Sequence, residues 1–287
     1  MNKTKIYDFL AKYLDEANIE QLFSNLQNKQ RSNILSDQYF VKIGQNTDEL
    51  FFKNLVKEIN LYKNNTNCKF FPKLIDYYIE EDICSIVLER INGQVLNSNR
   101  NTYIDDALSE DERLKILNEI LNIKTIKIDD KLDCSYSRQD KLSKYMNKLI
   151  DILGSSDLNI LEKYSNDIAQ VKCDNVISHG DLIPPNIMRE NNSIFFIDWE
   201  FIAIRPESYD IAYFLMFSKK ENSLDVLKYT KFSSTFKKEV KKDAIILCLK
   251  EMNNWNKLHG KLDDALVDGN IKRWKKELLI ILKGYEI

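Results

Sequence analysis

Residues 176–217 read VISHGDLIPPNIMRENNSIFFIDWEFIAIRPESYDIAYFLMF and hold three of the four prolines in the chain. An apolar strand, Val176-Ile177, runs into His179-Gly180-Asp181. Asn186 follows five residues after Asp181, and Asp198 closes a second apolar strand, Ile194-Phe195-Phe196-Ile197. Two carboxylates and one amide are thereby placed on loops flanking short strands. Oxygen ligands of this kind suit Mg²⁺, which is held by one or two carboxylates and by substrate phosphates. With Asn186 and Asp198 on the metal, Asp181 is left to accept a proton from an attacking hydroxyl. That division of labour is what phosphoryl transfer requires.

Upstream, Ile6, Phe9, Leu10, Tyr13 and Leu14 share one face of a helix over residues 3–16. Short apolar runs then predict strands at Ile19–Leu26, near Ile34 and at Tyr39–Ile43, with NKQRSN (residues 28–33) as a polar turn between the first two. Thr47-Asp48 opens a helix to Lys63. Two more strands follow, Lys73–Ile79 and Ile83–Glu89, with a turn signal at Asn92-Gly93. The order strand-strand-strand-helix-strand-strand implies a small antiparallel sheet with one helix packed on it. Beyond Gly93 the chain reads as helical. Ser109 caps Glu110–Lys124 with Glu112 completing a capping box, further helices fall near 138–153 and 156–170, and three more patterns occupy the tail. The expected fold is α+β: an N-terminal nucleotide-binding lobe, residues 1–91, and a mostly helical lobe, residues 92–287.

The 287 residues are 44% hydrophobic and 30% charged, which excludes a disordered, collagenous or membrane-spanning chain. The net charge of −2 provides no basic field for nucleic acid. Five scattered cysteines with no CxxC pair argue against a zinc site or a disulfide frame and for reduced thiols in a cytoplasmic protein. The N-terminus lacks the apolar core of a signal peptide. The partner expected is therefore a small-molecule hydroxyl acceptor, with no nucleic acid, no membrane, and a monomer or weak homodimer.

HGDLIPPN has the H-x-D-x-x-x-x-N spacing of the kinase catalytic loop, and IDWE stands where protein kinases carry their Asp-Phe-Gly metal motif. With HGD in place of HRD, and RPESYDIA following, the segment resembles the aminoglycoside phosphotransferase and choline kinase-like superfamily of small-molecule kinases. The resemblance implies a two-lobed protein-kinase-like fold and ATP (or GTP) with Mg²⁺. It assigns Asp181 as the catalytic base and Asn186 and Asp198 as metal ligands. It makes Lys42, in YFVKIG, the phosphate-binding lysine and Glu58 its partner on the following helix. Glu89 and Ile91 become the hinge that faces adenine, and His179 and Asp210 brace the catalytic loop. Many family members carry glycine and then Ser-Asn between the first two strands; here only Ser32-Asn33 matches, and NKQRSN contains no glycine.

A protein kinase acting on a partner is disfavoured, because only seven residues separate Asp198 from Pro206 and no Ala-Pro-Glu motif follows. A non-catalytic nucleotide-binding module is the alternative, and the complete Asp181–Asn186–Asp198 set argues against it. From Lys219 onward the chain carries 16 basic and 10 acidic residues. That balance disfavours a polycationic antibiotic as acceptor, since several ammonium groups need several carboxylate partners.

Overall fold

The structure, a computed structural model, describes residues 3–29, 31–47, 49–98, 104, 108–128, 132–218 and 223–285. Asp48, half of the expected helix opening, lies outside them. The chain forms two compact units, neither of them continuous in sequence. One comprises Met1–Val95, Thr125–Leu132 and Asn186–Ile202; the other comprises Leu96–Lys124, Asp133–Pro185 and Ala203–Ile287.

The first unit is built on a four-stranded antiparallel sheet in the order β1-β2-β4-β3, with β1 Arg31–Leu35, β2 Tyr39–Gln45, β3 Leu74–Ile79 and β4 Ile83–Glu89. Alternation along β2 gives each face its task. Val41 and Ile43 point to a core shared with Ile6 and Leu10 of α1 (Lys3–Leu10) and with Ile19, Leu22 and Leu26 of α2 (Glu16–Lys29). Lys42 and Gly44 point the other way, toward α3 (Glu49–Asn64). At Gly44 a Cβ would stand 2.7 Å from the Phe51 ring, so only glycine lets α3 approach this closely. β4, the strand between β2 and β3, is buried along nearly its whole length. A smaller sheet, β5-β7-β8, joins β5 Gln94–Val95 to β7 Ile187–Glu190 and β8 Ser193–Phe196.

Two expectations are overturned here. Ile19–Leu26 is not a strand but the middle of α2. Ile19, Leu22 and Leu26 recur at helical spacing and are all buried, and Asp15 opens the helix by accepting the Asn18 N–H (2.8 Å). NKQRSN is consequently not a turn between two strands: α2 runs to Lys29 and β1 begins at Arg31. The first hairpin turns at Ser36–Gln38, where Ser36 Oγ accepts the Tyr39 N–H (3.0 Å). The first helix is also shorter than expected and ends at Leu10, with Leu14 continuing its buried face from a turn.

The second unit is mostly helical: α4 Glu110–Asn122, α5 Arg138–Lys148, α6 Ile150–Ala169, α7 Ser208–Ser218, α8 Ser234–Asn256 and α9 Asp264–Lys283. The capping box forms as read, with Ser109 Oγ accepting from Glu112 N and Glu112 Oε2 from Ser109 N. The strand pair β6 (Asn175–Ser178) and β9 (Ala203–Pro206) carries the HGD loop at one end. α7 is buried along its whole length. Its start is held by a closed ionic cluster: Arg138 bonds Glu239 Oε2 (2.7 Å), Asp243 Oδ2 (2.8 Å) and Ser208 Oγ (3.1 Å).

Candidate active site

In the first unit the site is organised around Lys42. Its ammonium donates to both oxygens of Glu58 (3.1 and 2.9 Å) and to Asp198 Oδ1 (2.6 Å). Burial alone would push the Lys42 pKa down, but the two carboxylates outweigh it and hold the ammonium well above its ordinary range. Strand alternation puts Lys42 on the α3 face of the sheet, and α3 buries Glu58 opposite it. Glu58 also accepts the Trp199 N–H (3.4 Å), which ties α3 to the segment after Asp198. Asp198 itself sits in the left-handed region (φ 66°, ψ 61°), a conformation aspartate tolerates better than most residues. Its side chain keeps 40% of its surface exposed although it bonds Lys42. Ile197 N donates to Asn186 O (3.0 Å), which holds the Asn186 and Asp198 segments side by side.

Two cavities open on this cluster. The larger, about 550 Å³, has Lys42, Glu58, Asn186 and Asp198 at its polar end and Leu35, Phe40, Leu88, Met188 and Ile197 along its walls; the backbone from Glu89 to Gln94 closes it. The Glu89 N–H is taken by Lys73 O (2.8 Å) and the Arg90 N–H by Gln38 O (2.9 Å), so the strand end is pinned on both sides. Ile91, between them and Gly93, makes no backbone hydrogen bond among the described residues. The smaller cavity, about 360 Å³, shares Asn33, Lys42 and Asp198 and adds Asn25, Arg31, Ser32, Phe51 and Glu200. Arg31 lies over the Phe51 ring (4.9 Å) and 3.6 Å from Glu200. Burial first, then the Asp198 charge, raises the Glu200 pKa.

The donor set suits a nucleotide and a hard cation. Asn186 and Asp198 supply an amide and a carboxylate oxygen to one cavity, leaving the other positions of an octahedral ion to phosphates and water. The Ser32 and Tyr62 hydroxyls are buried at the cavity walls and have no hydrogen-bond partner among the described residues. Buried hydroxyls of that kind call for a ligand or solvent partner.

The second unit holds Asp181. Gly180 precedes it at φ 83°, a turn that a side chain would strain. Asp210, near the start of α7, accepts from Ser178 Oγ (2.9 Å), His179 N (2.7 Å) and Gly180 N (2.9 Å), fixing three consecutive residues of the loop. His179 is fully buried, and its Nδ1 accepts the Asp181 N–H (3.3 Å). Asp181 Oδ1 accepts from the Tyr213 hydroxyl (2.8 Å), which also lies 3.1 Å from Glu251 Oε1.

Lys42, Glu58, Asn186, Asp198, Glu89 and Ile91 thus line one cavity, Ser32 and Asn33 line its neighbour, and His179, Asp181 and Asp210 form a separate braced loop. The sequence reading missed Asn25, Arg31 and Glu200 around the smaller cavity and Tyr213 and Glu251 behind Asp181. Arg31 and Glu200 stood inside stretches already singled out, NKQRSN and IDWE; a lone Glu251 on a charged tail helix gave no signal.

The fold is similar to that of solved aminoglycoside phosphotransferases and choline/ethanolamine kinases, in line with the motif resemblance. Residues 114–232 match the choline/ethanolamine kinase family model. A protein described as a LicA homolog, from Mycoplasma capricolum subsp. capricolum, is 28% identical over 80 residues, covering 27% of this chain and 33% of that protein. The chain thus matches only a third of that curated relative's length. The GDP complex of aminoglycoside 2'-phosphotransferase-IIIa superposes with a TM-score of 0.63 at 14% identity, covering 94% of this chain and 98% of the other. A choline/ethanolamine kinase family protein from Mesorhizobium loti gives 0.62 at 11% identity, with 88% of each chain covered. Among the described residues no helix is long and apolar enough to cross a membrane.

Proposed function

We propose that the protein transfers the γ-phosphoryl group of ATP to a hydroxyl group of a small molecule. The observation that supports this most is the Lys42 ammonium held between Glu58 and Asp198 (2.9 and 2.6 Å) at the polar end of a cavity of about 550 Å³. The apolar walls and the 89–94 backbone suit a purine, with the Ile91 N–H, unpaired among the described residues, available to a ring nitrogen. Lys42 then faces the α- and β-phosphates, and Glu58 keeps it charged and aimed. Arg31, Ser32 and Asn33 offer further donors to the phosphate oxygens along the smaller cavity. Mg²⁺ on Asn186 and Asp198, when bound, neutralises the phosphate charge that grows as the γ-phosphoryl group departs. Asp181 orients the acceptor hydroxyl and takes its proton, and the Tyr213 hydroxyl, donating to its Oδ1 (2.8 Å), holds the carboxylate in place. The catalytic loop joins the two units covalently between Pro185 and Asn186, five residues from the base to the first metal ligand.

A screen of ATP consumption against amino alcohols, sugars and aminoglycosides tests this reading. Acceptor-dependent ADP release that disappears in Asp198→Ala is the expected result. ADP release that no acceptor stimulates, or that Asp198→Ala leaves intact, contradicts it.

A further inference from the structure

The acceptor side of the second unit holds a cation of its own. Lys250, on α8, places its ammonium 4.6 Å from the centre of the Tyr213 ring and 3.1 Å from the Tyr213 hydroxyl. That hydroxyl bonds Asp181 and lies within reach of the buried Glu251 carboxylate. The face of an aromatic ring with carboxylates at its rim is the arrangement that binds organic ammonium groups. Here the chain fills it: Tyr213 is 0% exposed, with Lys250 lying across it.

The neighbours reinforce the effect. Arg205 of β9 lies over Tyr209 (5.2 Å) and bonds Ser178 Oγ (3.3 Å) at the root of the HGD loop. Tyr209 packs on Tyr213 with ring centres 6.0 Å apart. From α5, Lys141 lies in the same field: burial first, then Lys144, Arg205 and Lys250, lower its pKa, against a smaller opposing pull from Asp133. Cations from β9 and α8 therefore lie over the paired Tyr209 and Tyr213 rings, while Asp181 and Glu251 are the acids at the Tyr213 hydroxyl. A second ammonium brought to this ring would meet Lys250 directly and Arg205 across the neighbouring Tyr209.

We propose that Lys250 determines acceptor specificity: its ammonium occupies the place over Tyr213 that an acceptor's ammonium would need, so the protein selects hydroxyl compounds that carry no cation. The proposal rests on the phosphotransferase reading only in taking Asp181 as the residue that meets the acceptor.

Two measurements on the full-length protein separate the proposal from that reading. Tetramethylammonium is titrated against the parent, Lys250→Met and Lys250→Arg by calorimetry. Lys250→Met keeps the length and apolar stem of the side chain, and Lys250→Arg keeps the charge. Removing the charge is expected to tighten tetramethylammonium binding at least ten-fold, with Lys250→Arg like the parent. In parallel, Lys250→Met is expected to lower KM for a trimethylammonium alcohol at least ten-fold relative to a neutral alcohol of the same size, with the smaller change in kcat. Equal tetramethylammonium affinity in all three proteins, or an unchanged KM ratio, overturns the role of Lys250. If no alcohol is phosphorylated by any of the three, the phosphotransferase reading falls, while the titration still decides whether Lys250 fills a cation site.

Discussion

Each unit contains a buried cation held by two carboxylates, and the two clusters differ in one respect. Around Arg138 everything is closed: the guanidinium, Glu239 and Asp243 are 0%, 1% and 0% exposed, and Lys242 and Ser208 complete the cluster. Around Lys42 the ammonium and Glu58 are nearly as buried, at 10% and 1%, but Asp198 is 40% exposed and faces a cavity. A closed cluster holds structure together, because every charge is spent inside the protein. A cluster with one carboxylate turned outward retains bonding capacity for something that arrives. Composition separates them little, since each sets two acids against buried basic residues, Lys42 in one and Arg138 with Lys242 in the other.

The sharpest way to break this comparison is to remove the outward carboxylate. Asp198→Ala is expected to abolish Mg²⁺-dependent turnover while costing no more than about 1 kcal/mol of stability, since the carboxylate is 40% exposed and Lys42 keeps its buried partner Glu58. Unfolding curves and steady-state rates on the same preparation check both halves. A large loss of stability would make Asp198 a structural residue of the same kind as Asp243.

Arg138→Met should show the converse. Removing the guanidinium takes the charged partner from Glu239 Oε2 and Asp243 Oδ2, and losing one partner of a buried ion pair costs about 3–5 kcal/mol. Denaturant unfolding at neutral pH measures it. A loss below about 1 kcal/mol would mean that the second unit does not depend on its closed cluster.

Smaller effects sharpen the picture within the first unit. Lys42→Ala and Glu58→Gln should both weaken nucleotide turnover, and their double mutant should fall short of the sum by about 0.5–3 kcal/mol, the coupling expected of groups in contact. Strict additivity would release Glu58 from its role as the partner of Lys42. Least in effect, burial followed by the Glu58 charge pushes the Cys84 thiol up to about 12. At pH 8 Cys84 should therefore resist iodoacetamide in the native protein while the exposed Cys134 is alkylated, as mass spectrometry of the digested protein would reveal. Alkylation of both at equal rates would show that the sheet opens around Lys42.

Much of the site was legible because it is local in sequence. HGDLIPPN and IDWE place Asp181, Asn186 and Asp198 within 18 residues, and strand alternation alone sends Lys42 to the face opposite Val41 and Ile43. The fold was legible from β2 onward for the same reason, through alternating runs and punctuating turns. It failed at residues 16–29, where EANIEQLFSNLQNK holds apolar pairs that resemble a strand over four residues and a helix over fourteen. The longer window, with Asp15 as its cap, decides for the helix. The error made a turn of NKQRSN and hid Asn25, which lies on the helix before it. Tyr213 and Glu251 were beyond reach for a different reason: their meeting with Asp181 joins α7, α8 and the catalytic loop across separations of 32 to 38 residues, which no local pattern encodes.

Asp181 offers the most direct test of the proposed chemistry. Asp181→Asn keeps the shape of the side chain and removes its capacity to take a proton. Transfer of labelled γ-phosphate from ATP to the best acceptor found in the screen should fall by roughly 10²-fold or more, the usual scale for a positioned base, while ATP affinity measured by calorimetry stays within about two-fold of the parent, a difference of under 0.5 kcal/mol. Near-parental transfer by a folded Asp181→Asn protein would contradict the assignment, and tight ATP binding with no transfer by the parent itself would make the protein a nucleotide-binding module instead.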